Sequence, residues 1–426
     1  MFTFRLLPFV ALTLASVLPR EQAVSYDGYK VYHIDTDGDA DAVLTALSAL
    51  PFEQWNFENS KHLDISVPGS DVAAFEALGL NYSVMHENLG QDIAAEKDFG
   101  DYESVSRRQS GSLPATSWFN SYHSYAQHVQ YWKDLNAAFP SNSQPFVAGK
   151  SYEGRDIFGL KLFGKASSTP KQAIIWHGTV HAREWITTMT VEYLAYNIIN
   201  GYKTGDAEYV SILDKYDFYI MPVVNPDGFV YTQTNDRLWR KNRSPTKVLN
   251  LPTCYGTDVN RNWPYQWTGD PNGASTNPCA QTYKGKAAGD SPENKALVSQ
   301  MTGVSAKQPI ALYLDFHSYG NYLLSPYGYT ASVPANSASQ VSLAQKAGAA
   351  IKAVYGTEYT VGPSGATLYP TTGSSADFAT DIAKAKYAYA IELRDKGQNG
   401  FVLPPDQIVP TGQEVLAGVK VLLKGL

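Results

Sequence analysis

The chain has 426 residues, 44% hydrophobic and only 17% charged, so it can bury large cores and is not a disordered polymer. Its length predicts two or three domains, and a net charge of −6 gives no reason to expect a nucleic-acid partner. Two cysteines exclude a disulfide-framework miniprotein and any zinc site built mainly from thiolates.

Arg5 precedes a mostly apolar run, residues 6–18, which Pro8 interrupts and which is too short to span a bilayer. It reads as a signal peptide within residues 1–23, cut between Ser16 and Ala23, and predicts a secreted protein. No later stretch approaches eighteen uninterrupted apolar residues, so no membrane association is expected.

Residues 24–108 carry sixteen Asp/Glu against five Lys/Arg, a net of −11, which leaves residues 109–426 at +4. An acidic block ahead of a mildly basic one is read as a pair of complementary surfaces, with ordinary solvated faces as the alternative. Strand-like alternation at 29–34 is followed by helical spacing over 40–50 after Asp39. Residues 52–57 and 62–67 read as strands, 71–78 as a short helix and 81–85 as a strand. The order is β-α-β-β-α-β, a small split-βαβ domain. A polar helical connector at 91–99 leads to a linker ending in Arg107-Arg108, a candidate processing site.

From about residue 113 helices and strands alternate. Tyr122, Tyr125, Val129, Trp132 and Leu135 recur at three- and four-residue spacing, a helix with one apolar face. Residues 146–147 and 157–162 flank Glu153-Gly154-Arg155, a hairpin-like turn. The apolar runs 173–176, 218–224, 310–316 and 387–393 read as buried central strands. Helical stretches at 187–202, 338–355 and 413–423 lie between and after them. An α/β sheet covered by helices on both faces is expected, with chemistry gathered at strand ends.

Two strand ends carry candidates. Residues 173–176 run into His177-Gly178-Thr179-Val180-His181-Ala182-Arg183-Glu184, and residues 310–316 run into His317. His181 and Glu184 at i, i+3, with His317, form a three-ligand zinc set that leaves a fourth position open. The competing pair, His177 and His181 at i, i+4, has Gly178-Thr179-Val180 between, with no glutamate and poor helix propensity.

Six motifs then stand in order: HAREW (181–185), NPDGF (225–229), RLWRKNRS (237–244), DVNRNW (258–263), FHSYG (316–320) and ELRD (392–395). Together they resemble the A/B-type zinc metallocarboxypeptidases over residues 113–426, and the acidic block resembles the activation segment of that family's secreted precursors. The resemblance implies an activation segment over 24–108 and a catalytic domain over 109–426, with a mixed central sheet. It implies one Zn2+ on His181, Glu184 and His317, with Glu392 as general acid/base acting on a zinc-activated water. Arg240 matches the group that stabilises the oxyanion. Asn260, Arg261 and Tyr369 match those that hold the substrate's terminal carboxylate, and Arg183 and Tyr319 match subsites further along the peptide. Cys254 and Cys279 fall where the family has a disulfide. The implied protein is a monomer acting on peptide and protein C-termini, freed by an activating protease.

The chemistry fits these residue types. Amide hydrolysis needs an acidified water, a proton carrier and a fixed charge where the oxyanion forms. An exopeptidase also needs an anion site, for which an amide and a guanidinium fork are suited. Ala376 matches the floor of the specificity pocket, and Ser364, Thr371, Ser374 and Ala390 match its walls. With no charge on the floor, bulky apolar or aromatic C-terminal residues are expected, unless Asp377 points inward. Two alternatives stand beside this: a catalytically silent binding protein should have lost a site residue and none is replaced, and a serine hydrolase should carry a G-x-S-x-G elbow, which the chain lacks. Asn81 and Asn242 each head a glycosylation sequon, and Asn81 is the better candidate.

Overall fold

The computed structural model describes residues 23–56, 61–102, 111–246, 254–268, 270 and 272–426. The expected signal peptide and Arg107-Arg108 lie outside the described residues, apart from Ala23. Among the described residues no helix is long and apolar enough to cross a membrane.

The acidic block folds in the expected β-α-β-β-α-β order: β1 (Lys30–Asp35), α1 (Ala40–Leu47), β2 (Glu53–Gln54), β3 (His62–Val67), α2 (Val72–Glu76) and β4 (Tyr82–His86). The strands lie in the order β2-β3-β1-β4, all antiparallel. Alternation decides what each face does. Tyr32, Ile34, Leu63, Ile65 and Val67 pack against Val43 and Leu47 of α1 and Phe75 of α2. Val31, on the opposite face, packs toward the larger domain with Tyr319 and Phe401. The connector, α3 (Leu89–Glu96), starts before the predicted 91 because Asn88 caps it, accepting from the Gln91 amide at 3.3 Å.

The larger domain opens with α4 (Tyr125–Ala138), held by a capping box between Ser124 and Gln127. The hairpin β5 (Ser143–Lys150) and β6 (Asp156–Leu162) follows, then β7 (Gln172–His177), α5 (Trp185–Thr204), α6 (Ala207–Lys215), β8 (Tyr216–Met221) and α7 (Pro226–Thr234). A two-stranded ribbon, β9 (Pro245–Thr246) and β10 (Cys254–Tyr255), precedes α8 (Pro292–Ser305) and β11 (Ile310–Ser318). The chain ends with β12 (Tyr322–Ser325), α9 (Ser337–Tyr355), β13 (Thr360–Pro363), α10 (Ser364–Thr367), α11 (Ser375–Asp381), β14 (Tyr387–Leu393) and α12 (Ile408–Lys424).

Eight strands form one mixed sheet in the order β13-β12-β14-β11-β7-β8-β6-β5. Its four central strands, β14, β11, β7 and β8, are parallel neighbours. Both faces are buried, which explains their continuous apolar sequence. Ile174, Trp176, Leu312, Leu314 and Ile391 face α5, α9 and α12, while Ala173, Ile175, Tyr313 and Ala388 face α8 and α11. Each fully buried Leu or Ile adds about 1.5–3 kcal/mol. That rigid sheet fixes where its strand ends lie.

Candidate active site

The parallel strands all end at one edge of the sheet, and the candidate residues gather there. His317 of β11 and Glu392 of β14 are direct cross-strand partners. His181 and Glu184 sit in the turn between β7 and α5, and Arg240 follows α7. After β7 the chain must turn sharply. Thr179 takes a left-handed conformation (φ +57°), costly for a β-branched residue. Its amide donates to Thr187 Oγ1 at 2.8 Å and its hydroxyl to the Pro222 carbonyl at 3.0 Å, which holds the turn. Gly178 suits the turn, since a Cβ would lie a tight 3.0 Å from the Thr187 carbonyl oxygen.

His181 Nδ1 stands 2.7 Å from Glu184 Oε1, and His317 Nδ1 stands 3.2 Å from both Glu184 Oε2 and His181 Nδ1. The opposite ring nitrogens face carboxylates: His181 Nε2 lies 3.2 Å from Asp258 Oδ1, and His317 Nε2 lies 3.0 Å from Asp315 Oδ2. With each imidazole donating its Nε2–H to its carboxylate, both Nδ1 lone pairs converge with Glu184 on one point. Such a knot of acceptors is matched by a cation, and two imidazoles with one carboxylate suit zinc. Burial would raise the Asp258 carboxyl, but Arg240 and His181 hold it well below the usual range. Asp315 is also lowered against its burial, through His317 and His177. Both therefore stay ionised behind the imidazoles.

His177 is not part of this knot. It is buried, its Nε2 accepting from the Tyr313 hydroxyl at 2.7 Å and its Nδ1 lying 3.2 Å from Asp315. Asp258 and Asp315 are the two residues that sequence reasoning missed. Their signals were present: Asp315 lies two residues before His317 on the same strand face, and Asp258 opens the DVNRNW motif.

Arg240 gives Nε and Nη2 to Asp258 Oδ2 at 3.1 and 2.9 Å. Asp258 also caps the short turn Val259–Arg261, accepting from the Asn260 amide at 2.9 Å. Asn260 Oδ1 accepts from the Ser375 amide, and Arg261 Nη2 donates to the Tyr369 hydroxyl at 3.3 Å. The buried Arg261 Nε has no acceptor among the described residues. The disulfide Cys254–Cys279, with Cα atoms 5.2 Å apart, closes the loop carrying this turn.

A single cavity is bordered by the zinc-type trio, Arg240, Asn260, Arg261, Tyr369, Glu392, Ala376 and Tyr319. Ser364, Thr371, Ser374 and Ala390 complete the pocket around Ala376. Asp377 also borders it, but its carboxylate accepts the Gly328 amide at 2.9 Å and the Tyr329 amide at 3.1 Å. Burial pushes that carboxyl up to about 6. Arg183 is set back: fully buried, it stacks 3.9 Å from the Phe401 ring and donates to the Trp55 carbonyl at 3.0 Å. Burial, then the charge of Arg240, lowers it to about 10.

The zinc carboxypeptidase family profile matches residues 128–418. The chain belongs to the zinc carboxypeptidase family. It is 43% identical to metallocarboxypeptidase A of Arthroderma otae over 94% of each chain. It is 42% identical to carboxypeptidase B of Astacus astacus, over 71% of this chain and 96% of that one. Among solved structures it resembles thrombin activatable fibrinolysis inhibitor, with a TM-score of 0.82 and 28% identity over 93% of this chain and 98% of that one. As a zinc carboxypeptidase it is a peptide hydrolase acting on C-termini. This carboxypeptidase buries Asn242, whose amide donates to Glu293, so that sequon is closed to a glycan, while Asn81 is exposed.

Proposed function

We propose that the protein is secreted as an inactive precursor and, once cut near Arg107-Arg108, releases bulky apolar or aromatic residues from peptide C-termini. The observation that carries the specificity is the Ala376 floor, with the adjacent Asp377 carboxylate engaged by two backbone amides. A lysine or arginine in that pocket would leave a buried cation poorly paired. A Phe or Leu side chain buried there gains roughly 1.5–3 kcal/mol. In this reading His181, Glu184 and His317 hold zinc, which when bound polarises the scissile carbonyl and acidifies water. Asn260, Arg261 and Tyr369 fix the terminal carboxylate, and the unmatched Arg261 Nε gives it a further donor. Arg240, anchored on Asp258, places its charge where the oxyanion forms. Glu392 takes a proton from the attacking water and delivers it to the departing nitrogen. Arg183 and Tyr319 serve residues further along the peptide.

The N-terminal domain sits where those residues would bind. Trp55 and Asn56 border the cavity itself. The Trp55 carbonyl occupies Arg183, and Asp64 accepts the Tyr319 hydroxyl. These contacts support a blocking role for residues 24–108. The specificity is tested by comparing kcat/KM on blocked dipeptides ending in Phe, Leu, Arg and Lys. The processed enzyme should favour Phe and Leu, and Ala376→Asp should move selectivity toward Arg and Lys. A native preference for Arg or Lys would overturn the reading.

A further inference from the structure

Away from the catalytic cavity, a second group of metal-ligating side chains converges in the N-terminal domain. Ligand atoms of His33, His62 and Asp64 all lie within 4.8 Å of one another. Register creates the cluster: in the β1–β3 pair His33 stands opposite Asp64, and Asp35 stands opposite His62. Residues two apart share a face, so His33, His62 and Asp64 converge, with Asp35 on the same side, on the face of the sheet away from Tyr32, Ile34, Leu63 and Ile65.

We propose that His33, His62 and Asp64 form a second, non-catalytic metal site for a divalent ion that favours imidazole, zinc or copper, at the boundary between the N-terminal and catalytic domains. Two imidazoles with a carboxylate match those ions, whereas magnesium and calcium require oxygen ligands. His33 Nδ1 lies 2.6 Å from Asp64 Oδ1, and His62 Nε2 lies 3.8 Å from Asp64 Oδ2. Bonds of about 2.0–2.1 Å to a tetrahedral ion put ligand atoms about 3.3 Å apart, between those two separations. Small side-chain shifts suffice. The imidazole rings stack at 4.4 Å, and among the described residues the His62 ring makes no hydrogen bond. Asp64 is fully buried and accepts the Tyr319 hydroxyl, so the catalytic domain holds this ligand in place. An open groove bordered by His33, Asp35 and His62 supplies a path from solvent. A bound ion would tie β1 to β3 and fix the carboxylate on which Tyr319 docks.

The test is metal stoichiometry of the intact chain, equilibrated with zinc, separated from free metal and measured by mass spectrometry. Two ions per chain are expected for the parent, one for His62→Gln, and one for His317→Ala, which loses the catalytic ion instead. Titrating the His317→Ala chain with Co2+ should give visible bands from the remaining site, a readout that does not depend on the folding of His62→Gln. One ion in the parent, a second ion that survives His62→Gln, or no bands in the cobalt titration overturns the proposal.

Discussion

At the scale of single residues, the site is a set of acceptors locked from behind. The two imidazoles are oriented by Asp258 and Asp315, and His177 contributes only to the support around Asp315. Replacing His177 by Ala should therefore leave about one catalytic zinc equivalent per chain, while His317→Ala should remove it. Elemental analysis of both variants under zinc concentrations that fill only the catalytic site checks this, and the reverse pattern would refute the ligand assignment. The three candidate ligands were legible because His181 and Glu184 share a short turn and His317 closes an apolar strand. Asp258 and Asp315 were not, since an aspartate beside a motif looks like any other until the fold brings it behind a ring.

At the scale of elements, the continuous apolar runs located β7, β8, β11 and β14 to within a few residues. A strand buried on both faces must be apolar throughout. Helices α7 and α8 escaped the periodicity reading because each buries polar residues among its apolar ones, such as Asp227 and Thr232, or Glu293 and Asn294. Their caps, Asn225-Pro226 and Ser291-Pro292, were readable start signals. Strands β12 and β13, four residues each, leave too short a pattern to read. The connector α3 carries Glu96, which binds Arg237 Nε at 2.6 Å and Nη2 at 2.8 Å, with both side chains buried. Removing one partner of such a pair costs about 3–5 kcal/mol. Glu96→Ala should lower the intact chain's unfolding free energy by that amount in a denaturant titration. A change no larger than a surface substitution would show that α3 is not docked through this pair.

At the scale of the molecule, an acidic domain lies over the mouth of a cavity whose polar groups await a peptide C-terminus. The charge split in the sequence did not locate the contacts between the two domains. Glu53 approaches Arg183 at 4.0 Å, and the Tyr26 hydroxyl donates to Asp236 at 2.7 Å. His86 Nε2 lies 2.8 Å from the Asn399 carbonyl, adding a further link across the boundary. Contacts of this kind depend on long-range docking that no local pattern records. The most direct measurement is hydrolysis of a blocked dipeptide ending in Phe, by the intact chain and by the chain cut in the linker, each with and without a zinc chelator. The account predicts substantial turnover only by the cut, zinc-replete chain. Equal turnover by the intact chain, or activity that survives complete removal of zinc, would contradict it.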